Sequence, residues 1–227
     1  MTLSPAVLKA ARARGPALGK KLRAWARRNP RSFPWRTNKT PYTVLLSEVL
    51  LKRTTSTAAA SVYLEFLTAF PNIRALSRAD ESTLQRMLTR IGLQYQRAKA
   101  LVEMARHIMQ HFEGTIPSSC EDLREIPHVG SYTAAAVRSF GLGLPDAVVD
   151  SNVMRILRRL FAKHMGRRKA SLSDYETLAA ILLPRDHQTH NFAMVDLGAL
   201  ICRYDYPRCR ICPLSRLCDT GKRTTRT

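Results

Sequence analysis

Apolar residues recur at helical spacing through most of the chain, and no stretch of useful length alternates as a strand would. Residues 1–31 carry a helical pattern that Ser32-Phe33-Pro34-Trp35-Arg36 ends, because proline breaks the helix and the aromatics need burial. Thr40 before Pro41 is a helix start, and the run from Tyr42 to Leu51 behind it is so uniformly apolar that it should be buried. Over 60–115, helices alternate with short turns, which places Leu64, Leu67, Leu84, Met87, Leu88, Leu101 and Met104 in the core. The turn Ile91-Gly92-Leu93-Gln94 should lift Leu93 to an exposed tip. Ser118 and Glu121 have capping-box spacing and open a helix that ends at Leu123 and Ile126. Pro127-His128-Val129-Gly130 is then a tight turn into a second helix from Ser131, followed by a Gly/Pro-rich loop, Gly141 to Pro145. Asp150 is the N-cap candidate of a helix with Val153, Ile156, Leu157 and Leu160 on one face. A basic turn at 163–169 and helices over about 171–183 and 190–201 complete an all-α inventory, with His187 and His190 expected as surface or capping residues.

Charge adds a partner to this picture. With 37 Lys+Arg against 17 Asp+Glu in 227 residues, the formal net charge is +20, so a polyanion is the leading expectation. The helix-turn-helix around Gly130 supplies a place for one anion: unpaired N–H groups open the second helix, beside a glycine that lets another backbone approach. No run of about 18 apolar residues could span a membrane, and Lys9, Arg12 and Arg14 interrupt the first apolar stretch before it could serve as a secretory signal, so an intracellular protein is expected. The basic face of residues 1–31 reads as solvated, with partial DNA contact as the second reading.

Three features point to chemistry. Glu48 is the first acidic residue of the chain and lies inside the apolar run, where a carboxylate is costly unless paired or used. Lys52 and Arg53 follow at the helix end, in keeping with phosphate contact or a solvated tip. Cys202, Cys209, Cys212 and Cys218 lie within seventeen residues, and their 6-2-5 spacing permits either tetrahedral zinc or a [4Fe-4S] cluster; Cys120, remote from them, reads as a small buried residue.

The helix-hairpin-helix, the Gly/Pro loop and Asp150, followed by this cysteine spacing, resemble the endonuclease III superfamily of DNA glycosylases over about Arg31 to Cys218. The resemblance implies an all-α fold of two helical domains with a cleft between them. Residues 33–144 would form a helical barrel domain with the hairpin, and 1–32 plus 145–227 a cluster domain carrying the catalytic aspartate. By position, Asp150 falls on the essential aspartate and Asn152 on its companion in the mismatch branches. Tyr132 falls where strand-cleaving members carry lysine, and Glu48 on a base-pocket glutamate. Leu93 matches the intercalating loop, and Val129, Gly130 and Ser131 the phosphate-binding hairpin. His128 departs from the usual Pro-Gly-Val-Gly and implies an altered phosphate contact in a left-handed turn. Lys52-Arg53-Thr54-Thr55 follows the thymine mismatch branch. The implied protein is a monomeric, monofunctional glycosylase with a [4Fe-4S] cluster on the four cysteines, excising thymine and uracil opposite guanine in double-stranded DNA. Three alternatives stay open here: an adenine glycosylase, disfavoured by the short stretch after Cys218; an oxidised-pyrimidine glycosylase/lyase, which would want lysine at 132; and a non-enzymatic DNA-binding module, which has no need of Asp150 or Glu48.

Overall fold

A computed structural model describes residues 3–165 and 170–224, so the end of the basic turn expected at 163–169 lies outside the described residues. Among the described residues there is no strand. The helices are α1 (Pro5–Arg28), α2 (Pro41–Leu51), α3 (Ser56–Ala69), α4 (Ile73–Ser77), α5 (Glu81–Leu88), α6 (Gln94–His111), α7 (Cys120–Glu125), α8 (Ser131–Ala136), α9 (Ser151–Leu160), α10 (Ala162–Met165), α11 (Leu172–Leu182), α12 (His187–Leu200) and α13 (Asp219–Thr224), with a π-helical turn, Val137–Gly141, extending α8. None is long and apolar enough to cross a membrane. The chain forms two compact units, Met1–Arg31 with Pro145–Thr227, and Ser32–Leu144.

In the unit of 32–144, α2 is the central helix. Thr40 caps it in a capping box with Thr43, and every residue from Tyr42 to Ser47 is buried, as are Val49 and Leu50. A helix apolar on all sides must be surrounded, and α2 packs against α3, α6, α8 and the π turn. Cys120, read as a small buried residue, is only half-buried at the start of α7, and two further sequence expectations need correction. Leu64 is exposed, because α3 buries the opposite face through Ala59, Val62, Tyr63 and Phe66. The cap of α7 is Ser119, whose Oγ accepts from the Asp122 N–H at 3.0 Å, while the Ser118 carbonyl accepts from Arg138.

In the other unit, Val7, Ala11, Leu18, Leu22 and Trp25 of α1 form one stripe against Val153, Ile156, Leu157 and Leu160 of α9 and the buried faces of α11 and α12. Two cations of the basic N-terminal stretch turn inward to acids distant in sequence. Arg14 meets Asp219 at 2.8 Å and Arg31 meets Asp196 at 3.1 Å, where both carboxylates are almost fully buried and need a partner. His190, expected at the surface, is buried in α12, which starts three residues before the expected 190. Burial pushes its pKa down to about 4.

Candidate functional site

Asp150 is the N-cap of α9: Oδ1 accepts from the Val153 N–H at 2.7 Å, and Oδ2 accepts from Asn152 Nδ2 at 2.8 Å. Among the described residues each oxygen has one donor and so keeps lone pairs for another partner. Asn152 is itself held, since its Oδ1 accepts from Arg155 Nη2 at 2.7 Å. The same guanidinium donates to the carbonyls of Gly198 at 2.9 Å and Cys202 at 2.7 Å, so a hydrogen-bonded chain runs from the first cysteine of the loop through Arg155 and Asn152 to the Asp150 carboxylate. On the approach to Asp150, the buried Asn191 side chain accepts from the Val148 N–H at 3.3 Å and donates to the Asp146 carbonyl at 2.8 Å. These bonds replace the ladder that this extended segment lacks.

Gly198 explains how α9 and α12 come close enough for this chain. A Cβ there would lie 2.4 Å from the Asn152 Cβ and 3.3 Å from its Cα. Gly198→Ala is therefore expected to displace Asn152, lowering stability by about 1–3 kcal/mol and slowing whatever reaction Asp150 serves. An unchanged melting temperature with unchanged activity would show that the contact relaxes freely.

Cys202, Cys209, Cys212 and Cys218 lie in the same unit, and all four are half-buried. Arg159 Nη1 lies 3.3 Å from Cys202 Sγ, and the Gly221 N–H donates to Cys218 Sγ at 3.4 Å. Burial, with repulsion from Cys202, Cys218 and Cys209, pushes the Cys212 thiol up to about 11, and burial also raises Cys218. Arg159 also donates to the Arg203 carbonyl at 2.6 Å and the Tyr204 carbonyl at 2.6 Å, which fixes the start of the loop to α9.

In the unit of 32–144, Glu48 is half-buried between the buried Ser47 and Val49 of α2. Lys52 and Arg53 are exposed in the turn that follows, Arg53 at φ +56°. Leu93 is 37% exposed at its loop tip, with φ +52°. The hairpin stands between α7 and α8: the Val129 N–H donates to the Ile126 carbonyl at 3.1 Å, and Gly130 is exposed with no atom within 4 Å of where its Cβ would be. Val129 is buried beneath it, Ser131 opens α8, and no side chain among the described residues caps that helix. The turn therefore presents bare backbone to solvent. His128 holds φ +67° and is fastened by Nε2 to Glu103 Oε2 at 2.7 Å, a contact that lowers the Glu103 pKa. Tyr132 is half-buried on the first turn of α8. Gly141 sets that helix against α2: a Cβ there would lie 2.8 Å from the Pro41 Cα. The structure thus packs together the elements that carry Glu48 and Tyr132 in one unit, and joins Asp150, Asn152 and the cysteine loop in the other.

Arg155, Asn191 and Gly198 are functional candidates that the sequence reading passed over. Arg155 sits one turn after Asn152, which is the one local signal for it.

The chain is similar to known DNA glycosylases. The thymine-DNA glycosylase of Aeropyrum pernix is 35% identical over 207 residues, 89% of this chain and 93% of that protein. The thymine/uracil-DNA glycosylase of Methanothermobacter thermautotrophicus is 32% identical over 190 residues, 83% of this chain and 86% of that protein. The solved structure of a thermostable thymine-DNA glycosylase superposes with a TM-score of 0.88 at 28% identity, covering 93% of this chain and 98% of that one. Residues 46–178 match the profile of the HhH-GPD superfamily base excision DNA repair proteins, and the chain belongs to that superfamily.

Proposed function

We propose that this protein is a DNA glycosylase that removes thymine, and uracil, mispaired with guanine, by hydrolysis and without strand cleavage, and that it works inside the cell as a monomer. The observation that carries the reading is the carboxylate of Asp150 held by a cap and a companion asparagine, in a chain similar over most of its length to thymine-releasing relatives. A mispaired base costs less to extrude than a paired one, which is where discrimination starts. Breaking the glycosidic bond builds positive charge on the sugar. Asp150 would stabilise that charge and orient or deprotonate the attacking water, while Asn152 keeps one carboxylate oxygen aligned. Glu48 and Tyr132 would hold the extruded base. Leu93 would enter the vacated space in the stack. Lys52, Arg53 and the hairpin of Val129, Gly130 and Ser131, through the N–H groups of the last two, would bind the DNA backbone, with His128 drawn aside by Glu103. The experiment is direct: a duplex with one G·T pair should yield free thymine and an unbroken abasic strand, and recovery of neither would refute the proposal.

Superfamily members of the endonuclease III type commonly bind an iron-sulfur cluster. Among the described residues no three His, Cys, Asp or Glu side chains converge as on a single metal ion. A four-iron cubane spreads its thiolate ligands more widely than one zinc ion with sulfur at about 2.3 Å, and four half-buried thiols with N–H donors at two sulfurs suit that larger group. Cys202, Cys209, Cys212 and Cys218 would hold it. When bound, the cluster would supply positive charge that keeps the thiolates ionised and gives the Arg-rich loop one shape. The protein as purified without oxygen should contain iron and absorb broadly in the visible range, and Cys212→Ser should lose both. One zinc and no iron would contradict this assignment.

A further inference from the structure

Arg97, in the first turn of α6, is 3% exposed, and among the described residues its guanidinium donates only to main-chain carbonyls. Nε reaches the Val49 carbonyl at 3.3 Å and Nη1 the Ile91 carbonyl at 3.1 Å; Nη1 also bonds Gly92 and Nη2 bonds Lys52. Two of these acceptors occupy special places. The Lys52 carbonyl belongs to the peptide that leads into Arg53 at φ +56°, and the Gly92 carbonyl to the peptide that leads into Leu93 at φ +52°. Both are residues with a Cβ in the left-handed region, which persists only where surrounding contacts over-determine it. One buried cation therefore clamps the last peptide before each of two strained, exposed tips, one cationic and one apolar.

A guanidinium can do this because its planar fork directs five donors along fixed lines, which a lysine ammonium cannot reproduce. A clamp for core stability alone would not need to sit at the entrance to both tips. We propose that Arg97 is a positioning residue that fixes the Lys52-Arg53 turn and the Leu93 tip as a single pre-organised pair, so that both engage DNA in one register while the target base is extruded. The inference rests on the glycosylase reading above, and it assigns Arg97 to extrusion and no part in bond breaking.

The test compares two duplexes in single-turnover thymine release: thymine opposite guanine, and thymine opposite an abasic analogue, where no pair has to be opened. Arg97→Lys, assayed at a temperature where circular dichroism shows it folded, should lose about tenfold or more on the first and less than about threefold on the second. Equal losses on both duplexes, or none on either, would overturn the inference. A second measurement leaves Arg97 in place. Leu93→Ala and Arg53→Ala, alone and combined, should be non-additive on the G·T duplex, since the tips act as one; simple multiplication of their effects would also overturn it. If the unmodified protein releases thymine from neither duplex, the glycosylase reading fails first and the inference falls with it.

Discussion

Asp150→Asn is expected to fold and bind DNA like the parent while base release falls about 10²–10³-fold, the scale of losing one pre-organised charge-stabilising group. The substitution separates two roles that one side chain combines. Asparagine caps a helix as well as aspartate does, so the bond from the Val153 N–H survives and α9 keeps its start. What disappears is the negative charge that would face a sugar cation, together with the acceptor for Asn152 Nδ2. Thermal melting and duplex binding should therefore stay near the parent's values while single-turnover release collapses. Release within a few-fold of the parent would reduce Asp150 to a capping residue.

Tyr132→Lys should bring the second large change, and in the opposite sense, by adding a reaction. A phenol cannot form an imine with the sugar, whereas a lysine amine can attack the anomeric carbon, displace the base and leave a protonated imine from which the 3′ phosphate is eliminated. The variant should cleave the strand and give a covalent complex that borohydride traps, and the unmodified protein should give neither. The first turn of α8 holds Tyr132 half-buried, so a lysine there keeps its stem covered and can extend its amine. Equally efficient trapping of the unmodified protein would mean that another amine acts as nucleophile and that the hydrolytic mechanism is wrong.

The parts of this site visible in the sequence are those whose cause is local. Thr40-Pro41, the turn at Pro127 to Gly130 and the cap at Asp150 each depend on residues within one helical turn, and the helices begin there in the structure. The cysteine loop stands out in the sequence by its 6-2-5 spacing alone. What was not legible depends on partners far along the chain. Arg14 and Arg31 read as surface cations until α12 and the C-terminal segment bring Asp196 and Asp219 beneath them. Asn191 and Gly198 look like ordinary positions of one helix, and only the packing of α12 on the Asp150 segment gives the first its two backbone bonds and the second its missing Cβ. Ser118 and Ser119 are equivalent caps in sequence; Arg138 takes the Ser118 carbonyl and Ser119 is left at the helix start. Arg97 gave no signal either, since a lone arginine in a helix suggests a solvated face and its acceptors come from two separate turns.

The central claim, that Asp150 serves release of a pyrimidine mispaired with guanine, is tested most directly by base release from duplexes identical except for the central pair. Thymine and uracil opposite guanine should be released, thymine opposite adenine should not, and adenine opposite oxidised guanine should remain in place. Adenine release with no release of thymine would contradict the account.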